Sequence, residues 1–436
     1  MKKTTTRRQF VQSSLALGSA LAFPAVIPAS ALGLDGTTAP SNRVTMGVVG
    51  CGFGSDHWSR YARVLAVCDV KRERRLERAA FYNREYGAQD CRAYEDYREV
   101  LERDDIDCVY IATPDHWHAL VAIAAARAGK AIYCQKPLTL TFREGVAVRD
   151  AVNRYGVVFQ HGTQQRSDPR MVFGCELVLN GRIGQLKNVE IVMPAGAAID
   201  PQPVQPVPDG FNYDMWLGPA PWAPYTHLRT TGDWHSWYFI SDYCLGHLSG
   251  WGVHHIDSAQ QGTGADDSGP VEVDARGEFP TKGLYDAAIT WRIRCTFADG
   301  VVWNVIDTVT GRDFCRRFNS VDGGVLFEGT EGWVFIWRGV VDAHPKHLLR
   351  ERIHPDETNL YHSSNHYQNF IDCVRSGART AAPVEYGHRS TTICVLSDIS
   401  MRLGRPLRWD AAKEEIVDDP AATRMLSRAY RQPWVL

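Results

Sequence analysis

The 436-residue chain has no net charge to speak of: 48 Lys and Arg stand against 50 Asp and Glu, leaving −2. It has no block of basic residues, which argues against nucleic acid as a partner. It has eleven cysteines but no CxxC pair, and eleven in a chain this long make no disulfide framework. Their neighbours, as in "AVCDV" and "DCVYIA", are apolar, which suits buried thiols. It also lacks an uninterrupted apolar run long enough to cross a bilayer, so no membrane span is expected in the mature protein. What remains is a globular composition, 44% hydrophobic, at a length that suits two domains.

The first residues read as a targeting segment. "MKKTTTRRQF" supplies Lys2, Lys3, Arg7 and Arg8, and "SSLALGSALAFPAVIPASA" is a weakly apolar stretch ending in Ala29-Ser30-Ala31. A charged region, an apolar region and a small-residue cleavage site make a signal peptide over residues 1–31, followed by a linker over 32–42. Arg7-Arg8-Gln9-Phe10 resembles a twin-arginine export signal, which implies export of a folded protein to the periplasm or beyond the cytoplasm.

From residue 43 the chain alternates strand and helix. Val44 to Val49 is a short apolar run ending in Gly50-Cys51-Gly52-Phe53-Gly54. A glycine turn after a strand lets the backbone approach a pyrophosphate with no Cβ in the way. The third glycine of GxGxxG falls at Ser55, small enough for close helix–strand packing. A second apolar strand, "RVLAVCD", ends at Asp69, where a carboxylate binds ribose hydroxyls and disfavours a 2′-phosphate. NAD is therefore expected, with NADP kept open by Lys71 and Arg72 close by. Further βα units follow through "DDIDCVYIATP", "HWHALVAIAAARAGK", "AIYCQKPL", "TFREGVAVRDAVNRYG" and "VVFQHGTQQR". This pattern predicts an α/β Rossmann dinucleotide-binding domain over residues 43–166, with ligands at the carboxyl ends of its strands.

Past residue 167 the texture changes. A helix and a strand in "MVFGCELVLNGRIGQLKNVEIVMPA" precede a proline-rich loop, and alternating apolar residues then mark several strands, one pair joined by "ADG". An α+β domain with a large, open-faced, mostly antiparallel sheet is expected over 167–436. An open sheet face needs cover, which suggests a homo-oligomer.

"GVVGCGFG", "IATPDHWHA", "YCQKPLTLT", "HGTQQRSDPR", "WLGPAPW", "GWGVHHID" and "NFIDCVRSGARTAAPVEYG" together resemble the glucose-fructose oxidoreductase/inositol dehydrogenase (Gfo/Idh/MocA) family. Thr113, Pro114, His118 and Gln135 are expected cofactor contacts at strand ends, and the resemblance implies that His116, Trp117 and Lys136 lie beside the nicotinamide. It also places Lys136 beside the substrate carbon. Gln135 stands where the family commonly has Glu. Desolvation and a nearby positive ring both lower a lysine's pKa, which suits proton transfer.

"GWGVHHID" matches the family's histidine at His254 and its following acid at Asp257, but Gly250 stands where an aspartate is usual. In one continuous helix, residues 250, 254, 257 and 261 share a face, and His255 points about 100° away. His254 is thus the candidate acid/base, Asp257 its orienting group, and Asp242 a possible substitute carboxylate. Gln164, Arg166, Trp234 and His255 are candidate substrate contacts. Trp216, Trp222, Trp234, Trp237 and Tyr238 provide flat surfaces suited to sugar rings. The histidines do not follow a zinc spacing, so no metal is expected. The resemblance implies an NAD-dependent oxidoreductase acting on a sugar, glycoside or polyol. An NAD-dependent glycosidase that oxidises its sugar transiently and a non-catalytic sugar-binding protein are the alternatives.

Overall fold

The glycine turn at Gly50 sits at the end of the first strand of a six-stranded parallel sheet, which sets the frame for the whole molecule. In a computed structural model, residues 43–52, 54–231 and 236–436 are described. The expected export signal and linker over residues 1–42, with Phe53 and Trp234, fall outside them. The first sheet contains β1 (Thr45–Val49), β2 (Arg63–Cys68), β3 (Arg92–Tyr94), β4 (Cys108–Ile111), β5 (Ala131–Cys134) and β6 (Phe159–His161), ordered β3-β2-β1-β4-β5-β6. Each neighbouring pair runs parallel. The order reverses at β1, and the crevice between β1 and β4 is where such sheets bind ligands. The central strands are apolar on both faces because helices cover both. On one side pack the helices Asp115–Arg127 and Phe142–Tyr155. On the other pack Arg72–Tyr86 and His366–Ser376, the latter returning from the far end of the chain to bury Phe370 against Trp58 and Tyr133.

Local chemistry starts these helices at their strand ends. Thr141 caps Phe142–Tyr155 in a reciprocal box with Glu144, and Gly156 ends it at φ 62°. Asp168 accepts from Arg170 N and Met171 N, with Pro169 opening the helix Pro169–Leu179.

The second sheet has nine strands. They are β7 (Leu186–Met193), β8 (Glu272–Glu278), β9 (Thr290–Thr296), β10 (Val302–Asp307), β11 (Gly324–Gly329), β12 (Trp333–Trp337), β13 (Val340–His344), β14 (Leu407–Asp410) and β15 (Glu415–Ile416). The order is β13-β12-β11-β7-β10-β9-β8-β14-β15, antiparallel except where β10 runs beside β7. The expected fold class, a Rossmann domain with a mostly antiparallel C-terminal sheet, is the one found. Helices Pro169–Leu179, Val253–Thr263 and Val384–Leu403 bury one face in the largest core. The other face is polar over β8 and β9, where Glu272, Arg276, Arg292 and Arg294 are exposed or half-exposed. It is apolar beneath the short helix Arg312–Phe318, where Phe314, Leu326 and Phe335 cluster. All eleven cysteines are free thiols and ten are buried. No helix among the described residues is long and apolar enough to cross a membrane.

Candidate active site

One cavity of about 1040 Å³ runs from the glycine turn to the start of the helix Val253–Thr263. Small-molecule sites occupy roughly 300–1,000 Å³, so this one has room for an extended ligand and a second small one.

At one end the backbone forms the cradle. Gly50 has φ +93°, and a Cβ there would lie 2.5 Å from Ala112 O, so only glycine fits between β1 and β4. A Cβ at Gly52 would meet nothing within 4 Å, which leaves this backbone approachable from the cavity. Ser55, in place of the third glycine, closes the turn through its hydroxyl to Gly52 O at 2.7 Å. Asp69 accepts from Cys51 N at 3.0 Å and Lys71 N at 2.8 Å, so its carboxylate is aimed and keeps free lone pairs. Lys71 and Arg74 also line this end, but each donates to a backbone carbonyl, of Thr230 and Thr231, and so pins that loop beside the cavity. Burial and the neighbouring Arg74 lower the Lys71 pKa to about 8. Arg72 does not line the cavity. The cradle suits a dinucleotide: an open glycine turn, an aimed carboxylate and a cavity along the carboxyl edge of β1, β2 and β4.

At the other end, β5 delivers Gln135 and Lys136. Gln135 donates to the Tyr110 hydroxyl at 2.8 Å, a neutral contact where a Glu would carry charge. Lys136 is half-buried and donates to Gly250 O. Desolvation lowers its pKa, Asp115 pulls it back up, and Arg338 lowers it further. His254 is 2% exposed and lines the same cavity. Its ring makes no hydrogen bond with any described residue, and Nδ1 is buried without a partner. Burial first, then the charges of Lys136 and Arg338, hold it neutral. An amine from the first sheet and an imidazole from a helix on the second thus face one space.

The structure also shows what replaces the usual acid. A Cβ on Gly250 would lie 2.3 Å from both Cζ and the hydroxyl of Tyr238, whose ring fills that place. The Lys136 ammonium sits 5.8 Å from the Tyr238 ring centroid. The carboxyl near Lys136 is Asp115, at the first turn of the helix Asp115–Arg127 and 2% exposed. Burial raises its pKa, while the Cys244 thiol and Lys136 lower it. Asp115 stands in the quoted "TPDHWH", yet a single acid at a helix start reads as a cap, and nothing local marks it. Asp242 does not take the part. It is 4.0 Å from Arg428 and does not line the cavity.

Several expected site residues lie elsewhere. Asp257 is fully buried and pairs with Arg166, at 2.7 Å to Nε and 2.9 Å to Nη2, rather than bonding His254. Arg166 also reaches the half-buried Asp266, so both expected roles give way to an ion triad outside the cavity. His255 faces Val192 O at 2.8 Å and His116 faces Trp216 O at 3.0 Å, and neither lines the cavity. His118 does line it, but its ring spans Pro137 O and Thr113 O at 2.8 and 3.0 Å, tying two strand-end turns together. Thr113, Pro114, Trp117 and Gln164 line the cavity as expected. Of the loop aromatics, Trp216, Trp237 and Tyr238 line it and Trp222 is exposed. Sequence reasoning missed Asp115, Gln165, Asp168, Trp251, Arg338 and Tyr367.

The triad gives a direct test. Arg166→Met leaves the buried Asp257 and the half-buried Asp266 without their cation, and breaking a buried ion pair costs about 3–5 kcal/mol. Urea unfolding is expected to show that loss. Unchanged stability would return Arg166 to the list of ligand contacts.

Residues 44–163 match the model of the "Oxidoreductase family, NAD-binding Rossmann fold", and residues 197–436, more than half the chain, match "Oxidoreductase family, C-terminal alpha/beta domain". The chain belongs to the Gfo/Idh/MocA oxidoreductase family. Levoglucosan dehydrogenase of Pseudarthrobacter phenanthrenivorans is 35% identical over 153 residues, which is 33% of this chain and 39% of that one. Inositol 2-dehydrogenase of Salmonella typhimurium is 35% identical over 147 residues, 32% of this chain and 42% of that one. The matches therefore span about two-fifths of these curated relatives. Among solved structures, a levoglucosan dehydrogenase with NADH and levoglucosan aligns with TM-score 0.58 at 22% identity, covering 86% of this chain and 99% of that one. Aldose-aldose oxidoreductase from Caulobacter crescentus aligns with TM-score 0.61 at 17% identity, covering 84% and 99%. Likeness at this level shows a shared fold. The NAD-binding Rossmann half is thus established by family as well as by geometry.

Proposed function

We propose that the protein is an exported NAD-dependent oxidoreductase acting on a carbinol of a sugar, glycoside or polyol. One observation carries this reading: Lys136, at a strand end of the first sheet, and His254, on a helix over the second, line a single cavity whose far end is the glycine turn with Asp69. Gly50 to Gly54 and Asp69 would hold the pyrophosphate and ribose. Thr113, Pro114 and Trp117 would border the nicotinamide. An NAD held there would supply the hydride acceptor for the substrate carbon.

The chain's own residues move the proton. Lys136, depressed by burial, takes it from the reacting hydroxyl. His254, neutral through the same pH range, hydrogen-bonds that oxygen and fixes the carbon. Asp115 keeps the ammonium form of Lys136 from becoming too costly, so the amine can both take and return the proton. Lys71 and Arg74, by holding the loop at Thr230 and Thr231, favour a cofactor that stays bound. Arg7 and Arg8 support export, and a retained cofactor suits a compartment with little free NAD.

Two steps test the proposal. Purified protein should release NAD(H) on denaturation, and the loaded protein mixed with a panel of sugars and polyols should gain absorbance at 340 nm. An empty site with no affinity for added NAD would favour a sugar-binding protein on a dehydrogenase fold. Aryl-glycoside cleavage without net NADH would favour the glycosidase.

A further inference from the structure

Arg338 occupies the two-residue turn between β12 and β13, the tip of a hairpin at the edge of the second sheet. The turn is pinned rather than loose. Gly339 N donates to Asp168 Oδ2 at 2.6 Å, and Arg170 donates to Gly339 O. The guanidinium stacks on Trp251 at 4.4 Å from the ring centroid. With the Gln165 amide turned to the orientation that satisfies both its ends, it accepts from Arg338 Nε at 3.1 Å and donates to His254 O at 2.8 Å. The side chain is thus built into the wall beside the acid/base helix.

Its carboxylate neighbours Asp322 and Asp168 act on it only through space. Asp168 is taken up by backbone N–H groups, and no described carboxylate forms an ion pair with Arg338. Arg166 in the same region has two such partners. Arg338 is exposed rather than buried, so its charge is open to a ligand that enters the cavity. Arg338 lines the cavity that also holds Lys136 and His254. Desolvation lowers its pKa, and its charge in turn pushes both Lys136 and His254 toward neutral. A single guanidinium, flanked by an aromatic face and with carboxyls at Asp115 and Asp168 also lining the cavity, suits one negative charge better than two.

We infer that the substrate is a sugar acid whose carboxylate is received by Arg338, with Lys136 and His254 at the reacting carbon. The inference rests on the oxidoreductase reading for the reaction but not for the binding. The assignment makes Arg338 a specificity-determining residue: it selects the acid over the neutral sugar and the phosphate ester.

The test pairs binding with turnover on NAD-loaded protein, using D-glucuronate, D-gluconate, D-glucose and D-glucose 6-phosphate as probes. Calorimetry is expected to show at least one of the two acids binding more tightly than glucose. Arg338→Gln should weaken that acid about 10- to 100-fold, the size of a lost charged hydrogen bond, and collapse its advantage over glucose. Arg338→Lys should recover part of it. Acid binding that ignores Arg338→Gln overturns the inference, and so does an Arg338-dependent preference for the phosphate ester or for glucose. Arg338-dependent acid binding with no absorbance change at 340 nm for any probe would support the inference and count against the oxidoreductase reading alone.

Discussion

Lys136→Met loses about 10²- to 10⁴-fold in turnover, the usual worth of a positioned acid or base, while the protein still folds and still binds NAD. Methionine keeps the length and apolar stem of the side chain and removes only the amine. The ammonium's single described hydrogen bond is to Gly250 O, and the buried Asp115 carboxyl, which loses that nearby positive charge, can take up a proton instead. The loss should therefore fall on kcat and kcat/KM together, with sugar affinity nearly unchanged. Steady-state kinetics alongside circular dichroism and NAD titration would check it. Turnover within tenfold of wild type would remove Lys136 from the mechanism.

Gly250→Asp, which restores the aspartate usual at this place in the family, should damage the protein. The new Cβ would lie 2.3 Å from the Tyr238 ring, and the carboxylate would enter a site already filled. Overpacking of this kind costs about 1–3 kcal/mol, and burying the carboxylate adds to it. The shift also moves the carbonyl that receives Lys136, so turnover should fall at least about tenfold, as misplacement of a reacting group by a fraction of an ångström does. Thermal unfolding should show a Tm lowered by several degrees. The double variant Gly250→Asp/Tyr238→Ala should be more stable than Gly250→Asp alone, because the second change vacates the space. A single variant as stable and active as wild type would mean that Tyr238 does not hold that position.

The sequence made the parallel half legible because each of its signals is local. A strand, a glycine turn and an acid at the next strand end lie within one βα unit, and Gly50, Gly52 and Asp69 stand where that unit puts them. Lys136 was legible for the same reason, as a residue at a strand's carboxyl end. The second half resisted because its contacts come from distant elements. Helical phase placed Gly250 and His254 on one face, but the chain breaks its helix at Trp251–Gly252, so that phase does not carry across. His254 and Asp257 lie on one helix, yet the partner that claims Asp257 is Arg166, 91 residues earlier. Spacing identifies a face, not what arrives opposite it. Arg338 sits 84 residues after His254 in an ordinary-looking "WRGVV" turn, and only sheet register brings it to the cavity.

The central claim is that Lys136 is the proton acceptor and that burial and Asp115 set its pKa in opposite directions. The pH dependence of single-turnover NAD reduction, followed at 340 nm, addresses it most directly. Oxidation needs the neutral amine, so the rate should rise with pH along a limb below the ordinary lysine value of about 10.4. Asp115 raises the Lys136 pKa by its negative charge, against the opposing pull of burial and Arg338. Asp115→Asn removes that charge, stabilises the neutral amine, and should move the limb to lower pH. A limb that stays in place or moves upward in Asp115→Asn would contradict the account.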